Sequence, residues 1–326
     1  MSRHIDPHVH CRDWGQSYKA TIRSVTQLAR SQGVVAFIDM PNTTPAITTA
    51  ELVDKRLGTA ESEGCSEGYY LNIGLTRDPA QIRGAVEIAD ANPKVAGMKL
   101  FAGKSVGDLE VPDAEGQRAV YNTLAETGYK GVIAVHCEKE DMFKMGLWDM
   151  TMPYTWGLAR PREAEIESVR EQISMAMECG LKARMHICHI SVPEAVLLVN
   201  EARKGLRISC GSTPHHLSFA SEDMLTVNDL EWKVNPPIRK YADMRGLMGL
   251  LKAGKIDVIE TDHAPHAPEE KAYDANKPNA SYMSGIPSLN GYSAFLERLR
   301  GEGFTEQQIE AITYSNVKRI WSKITE

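Results

Sequence analysis

Short apolar runs and amphipathic stretches alternate from one end of the chain to the other. Residues 34–39 are an almost continuous apolar run, the mark of a strand covered on both faces. Similar runs fall at 69–75, 95–101, 131–137, 183–190, 206–210 and 257–261, after a first strand at 4–8. Helical periodicity fills the gaps, at 17–32, 49–62, 79–91, 114–127, 162–179, 192–204 and 241–253. Two further helices, near 288–300 and 305–323, close the chain. Residues 141–161 are irregular and read as an insertion. The pattern gives eight strand-plus-helix units without an internal sequence repeat. Alternating units of this kind imply a parallel sheet. Eight of them in 326 residues fit a closed barrel better than an open sheet, and no Gly-x-Gly-x-x-Gly follows the first strand. The expectation is an α/β fold, a (β/α)8 TIM-type barrel, with residues 1–326 as a single domain.

Composition narrows the class. The chain is 42% hydrophobic and 25% charged, with a net charge of -6 and no basic block, which argues against a nucleic-acid partner. Neither a long apolar run nor a signal-like start is present, so a cytoplasmic protein with no membrane partner is expected. The six cysteines are scattered without a Cys-x-x-Cys pair, which points to reduced thiols.

The chemistry gathers at the ends of the expected strands, where a barrel of this kind carries its site. His8 and His10 share a face of the first strand, and Arg12 has the same parity. Lys99 lies in the fourth strand, His136 ends the fifth, His189 the sixth, and Asp262 follows the eighth. His186 is three residues from His189, so a strand turns the two to opposite faces; His189 is taken as the ligand and His186 as structural. His215 and His216 are adjacent and point apart, which makes ligation there the weaker reading. Lys99 is out of place in an apolar strand unless paired or neutralised. Carboxylation of its amine would turn it into a bidentate anion able to bridge two metals. Four histidines, one aspartate and the bridging lysine make six donors, too many for one catalytic zinc. They suit two metal ions sharing a bridge, and so hydrolysis, or its reverse, of an amide-like bond.

At this point the motifs resemble a family. Asp6-Pro7-His8-Val9-His10-Cys11-Arg12, Met40-Pro41-Asn42-Thr43, Gly97-Met98-Lys99-Leu100-Phe101, Val135-His136-Cys137-Glu138, His186-Ile187-Cys188-His189, Thr213-Pro214-His215-His216, Asn235-Pro236-Pro237 and Thr261-Asp262-His263-Ala264-Pro265-His266 are similar to those of dihydroorotases, in the amidohydrolase superfamily. The resemblance implies the reversible cyclisation of N-carbamoyl-L-aspartate to L-dihydroorotate in pyrimidine synthesis. It implies two divalent metal ions, zinc expected, on His8, His10, His136, His189 and Asp262, bridged by N6-carboxylysine at Lys99. Asp262 would also shuttle the proton. Arg12, Asn42 and His266 would hold the substrate, the first two at its carboxylate. A small-molecule substrate and a homodimer are the family-level expectations for partners.

The chain departs from many relatives in the loop after Arg12, which reads Asp13-Trp14-Gly15. The accessory β-sandwich that many relatives carry is expected to be absent. Segment 103–107 or the loop at 264–285 is expected to close over substrate. Two rival readings remain open. One is another cyclic amidohydrolase of the allantoinase or hydantoinase type. The other is a non-catalytic barrel serving a carbamoyltransferase.

Overall fold

Eight parallel strands follow one another around a single sheet in chain order. The computed structural model describes residues 3–104, 109–276 and 282–325. The strands are β1 (His4–Val9), β2 (Val34–Asp39), β3 (Tyr69–Gly74), β4 (Val95–Ala102), β5 (Val132–Cys137), β6 (Arg184–Ile187), β7 (Ile208–Ser212) and β8 (Val258–Ile259). Helices pack between consecutive strands, which makes the architecture a (β/α)8 barrel. Among the described residues, no strands form a second sheet.

The barrel closes at a short seam. Val9 bridges His263, and the His10 N–H donates to the His263 carbonyl at 2.8 Å. Below that bridge the Asp6 carboxylate does the work of a ladder. It accepts from the Thr261 N–H at 3.0 Å and from the Thr261 hydroxyl at 2.6 Å. Burial pushes the Asp6 carboxyl up to about 7, against those hydrogen bonds.

The apolar pattern sorts into two layers. One face of the strands, with Val9, Leu71, Ile73, Leu100 and Val135, packs on the surrounding helices through residues such as Ile22, Val25 and Val120. The other face, with Ile5, Ile38, Tyr70, Ala96 and Val258, meets Trp321 and Ile324 of the C-terminal segment. Buried on both faces, the strands read as continuous apolar runs.

One polar cluster sits inside this frame. Asp39, at the end of β2, is fully buried. It accepts from the Cys11 N–H at 2.9 Å, from Arg56 Nη2 at 2.7 Å and from the Tyr69 hydroxyl at 2.6 Å. The Arg56 guanidinium also lies 5.0 Å from the Trp14 ring.

Helix starts follow capping chemistry: Thr49, Asp78 and Asp113 each accept a backbone N–H at an N-terminus. The first helix is shorter than its periodicity predicts and runs Ile22–Ser31. Thr21 and Ser24 form a capping box, and Asp13 accepts the Ile22 N–H, so residues 14–20 become a loop. The last helix is broken by a π-turn, Ala311–Ser315, where the Thr313 hydroxyl donates to the Ile309 carbonyl and meets His4 Nδ1 at 2.9 Å. The expected insertion is a run of short helical turns between Glu140 and Ala159. All six cysteines are free thiols. Among the described residues, no helix is long and apolar enough to cross a membrane. The two loops expected to close over substrate fall partly outside the described residues, at 105–108 and 277–281.

Candidate metal centre

The expected donors meet at the C-terminal end of the barrel. His8 Nε2 lies 3.4 Å and His10 Nε2 3.1 Å from Asp262 Oδ1. Across the cavity, His136 Nδ1 and His189 Nε2 are 3.2 Å apart. The His8 and His189 rings, 5.1 Å between centroids, join the two halves. All five side chains are buried and line one narrow cavity with Arg12, Asn42, Phe101, Asn235, Ser284 and Gly285.

Lys99 sits at the floor of this arrangement and is fully buried. Its Nζ is 3.2 Å from Cys188 Sγ and 4.9 Å from the Phe101 ring centroid. No carboxylate pairs with it among the described residues. A lysine buried in such a place is costly unless paired or neutralised.

Three of the imidazoles have a polar group behind the nitrogen that faces away from the cavity. His10 Nδ1 meets Asn42 Oδ1 at 2.8 Å. His136 Nε2 meets Glu138 Oε2 at 3.1 Å, and Arg160 clamps that carboxylate through Nε and Nη2. His8 Nδ1 faces Glu260 Oε2 at 3.5 Å. Carboxylates and amides behind metal-binding histidines fix the tautomer in this way.

The electrostatics favour neutral imidazoles and charged carboxylates. Burial lowers His8 to about 4, with the Lys99 charge adding to it. Burial likewise lowers His136 and takes His189 well below its ordinary value. Burial alone would raise Asp262, but the hydrogen bond with His10 and the neighbouring imidazoles hold it well below the usual carboxylate range. Glu138 falls to about 2, because Arg160 and His136 outweigh its burial. Buried imidazoles and charged carboxylates gathered around one cavity are a donor set suited to cations. His8, His10 and Asp262 form one group that could hold a divalent ion.

The backbone at the site is strained. Arg12, Asp13, Trp14, His189 and Asp262 are non-glycine residues with φ of 58°, 64°, 50°, 37° and 46°. All lie just past the ends of β1, β6 and β8, and three of them are predicted site residues. Left-handed conformations at such positions re-aim side chains into a site and are held there by the surrounding fold.

Arg12 is buried at the cavity wall, where its Nε donates to the Pro265 carbonyl at 3.0 Å. Its Nη2 meets His266 Nε2 at 3.1 Å. His266 thus stands behind Arg12 and lines a second, wider cavity of about 600 Å³ that shares Gly285 with the first. His186 and His216 are occupied elsewhere. His186 pairs with Ser209 at 3.0 Å, and His216 lies between Thr213 and the Pro236 carbonyl. His215 meets Ser288 at 2.8 Å. Glu138, Arg160, Cys188 and Glu260 were not singled out in the sequence. Glu138 and Cys188 fall inside the motifs Val135-His136-Cys137-Glu138 and His186-Ile187-Cys188-His189, and Glu138 and Glu260 each stand two residues from a predicted ligand and so share its parity.

Comparison with known proteins finds similar sequences and similar folds. A curated dihydroorotase of Brevibacillus brevis is 35% identical over 278 residues, covering 84% of this chain and 62% of its own length. The chain is similar to dihydroorotases over most of its own length. A second, from Methanosphaera stadtmanae, is 29% identical over 329 residues, 98% of this chain and 70% of its own length. The chain spans about three fifths of the length of the first curated relatives it matches. No family model matches it. Among solved structures, L-hydantoinase from Arthrobacter aurescens superposes with a TM-score of 0.82 at 20% identity, covering 98% of this chain and 70% of that one. Dihydropyrimidinase from Brevibacillus agri gives 0.83 at 19%, with 98% and 71% covered. These share the (β/α)8 barrel of this chain.

Proposed function

We propose that the chain catalyses the reversible cyclisation of N-carbamoyl-L-aspartate to L-dihydroorotate. The observation that carries this reading is the buried Arg12 guanidinium at the wall of a cavity lined by four imidazoles and Asp262. A carboxylate-bearing cyclic amide matches both parts of that cavity. The likeness to curated dihydroorotases supports the same choice.

In this reading His8, His10, His136, His189 and Asp262 would hold two divalent ions, zinc by donor type, with a carboxylated Lys99 as a further ligand. Such ions polarise a carbonyl and lower the pKa of a water. Arg12 receives the substrate carboxylate by a charge-assisted pair. Asn42, which holds His10 and lines the cavity, meets the same carboxylate from the side. His266 serves the substrate through Arg12, whose Nη2 it holds. Asp262 takes the proton lost by the attacking water and returns it to the departing ring nitrogen. Cyclisation runs these transfers backwards. A small-molecule partner is implied, with a homodimer in the cytoplasm as the assembly and place this reading adopts.

The test is metal content per chain on protein purified without chelator, together with turnover of L-dihydroorotate. Near two metal equivalents with turnover is the expected result. Two equivalents with turnover of hydantoin or allantoin instead would move the assignment to another cyclic amidohydrolase. The wide cavity beside the site makes substituted hydantoins the natural competitors to try. Neither metal nor turnover, even after metal is added back, would favour a non-catalytic barrel.

A further inference from the structure

A buried carboxylate under the site has a slot cut for it in the neighbouring strand. Glu260 is rooted just past β8 and is 1% exposed. Its Oε2 faces His8 Nδ1 at 3.5 Å and His186 Nε2 at 3.4 Å. Its Oε1 accepts the backbone N–H of His189. One carboxylate thus touches a ligand on β1, the strained turn that carries a ligand after β6, and His186 within β6. The side chain passes over Gly211 of β7, where a Cβ would stand 2.5 Å from Glu260 Oε1 and 2.7 Å from its Cδ. A residue with any side chain at 211 would displace the carboxylate. A glycine in a strand interior often marks such a close approach.

His8 Nδ1 is a buried polar atom with no hydrogen bond. Leaving it so is unfavourable, and a slight shift of the 3.5 Å contact would satisfy it. The ring would then carry its proton on Nδ1 and present the Nε2 lone pair to the cavity, toward Asp262.

We infer that Glu260 is the positioning residue for His8 and His189, and that the site requires the carboxylate in the Gly211 slot more than its attachment to β8. The inference rests on the metal-centre reading above. It predicts that the carboxylate can be supplied from the other strand. Glu260 Cδ lies 2.7 Å from the place of a Cβ at 211, about the reach of the two bonds between a glutamate's own Cβ and Cδ.

The experiment compares Glu260→Ala, Glu260→Gln and the double variant Gly211→Glu with Glu260→Gly. Zinc affinity is measured by competition with a chromophoric chelator, and the cobalt-loaded proteins are compared by visible absorption. Folding is checked by thermal melting. Glu260→Ala and Glu260→Gln are both expected to hold metal about 10–100-fold more weakly, with an altered cobalt band, because glutamine keeps an acceptor for the His189 N–H but lacks the charge. The double variant is expected to regain most of the affinity and the original band. Wild-type affinity in folded Glu260→Gln would overturn the role of the charge. A folded double variant as weak as Glu260→Ala would overturn the role of the slot. Metal affinity is read without turnover, so a wild-type chain that binds two metals but does not act on dihydroorotate defeats only the proposed substrate. A wild-type chain that binds no metal defeats both.

Discussion

Two buried polar clusters sit near the ends of neighbouring strands, and they are built to opposite rules. Around Asp39 the partners match. One carboxylate, one guanidinium, a phenol and a backbone N–H leave only Arg56 Nη1 without a hydrogen bond. At the ends of β1, β5, β6 and β8 the partners do not match. Imidazole nitrogens face one another, and His8 Nδ1 and His189 Nδ1 have no hydrogen bond. Both regions are buried. The difference is that the first cluster spends its hydrogen bonds on holding β2 to its helix, whereas the second keeps lone pairs in reserve. A buried polar group without a partner is costly, so a group of them in one place marks a site awaiting a ligand.

The contrast can be broken from either side. Asp262→Ala should lower kcat by about 10²–10⁴-fold, the usual contribution of a positioned acid–base group, while the metal-free protein melts near the wild-type temperature. A large loss of metal-free stability would show that Asp262 belongs to the frame instead. Arg56→Met should do the reverse. Stranding the Asp39 charge costs about 3–5 kcal/mol of stability in chemical denaturation, with kcat and metal content of the folded fraction unchanged. Arg12→Met should raise KM by about tenfold to a hundredfold, the loss of one charge-assisted contact, and leave metal content intact. Loss of metal in that variant would mean Arg12 supports the centre and not the substrate.

The smallest effect concerns the strap at 282–285, which borders the cavity. Lys233 Nζ donates to the Tyr282 carbonyl and Ser284, and lies 4.0 Å from the Trp156 ring centroid. Lys271 Nζ donates to the carbonyls of Lys233, Met283 and Gly285. Burial lowers both lysines from 10.5 to about 7. The unfolded chain therefore binds more protons than the folded one between pH 7 and 10, and stability should rise with pH across that window. Lys271→Met should flatten this rise in melting temperatures taken from pH 7 to 9; an unchanged slope would remove Lys271 as its source.

Much of this was legible in the chain. Seven apolar runs after the first strand pointed to the barrel, because strands covered on both faces carry little else. His8, His10, His136, His189, Lys99 and Asp262 could be found because barrel topology brings strand ends together whatever their separation. The groups behind them could not. Glu138 with Arg160, and Glu260 over Gly211, depend on which side chains meet across strands, and no periodicity encodes that. The same applies to His266, a substrate residue by resemblance that the fold sets behind Arg12. The last helix misled for a local reason: its periodicity continues through the π-turn, and only the tie from Thr313 to His4 reveals the break.

The seam has a consequence in time. Asp6 and Thr261 join at 2.6 Å across almost the whole chain, and His8, His10 and Asp262 come together only when they do. During synthesis at about 5–20 residues per second, the two histidines leave the ribosome more than ten seconds before Asp262 exists. A nascent barrel without its last strand already holds the four imidazoles but not Asp262. The full donor set exists only once the final strand docks, so completing the site and completing the fold are one event.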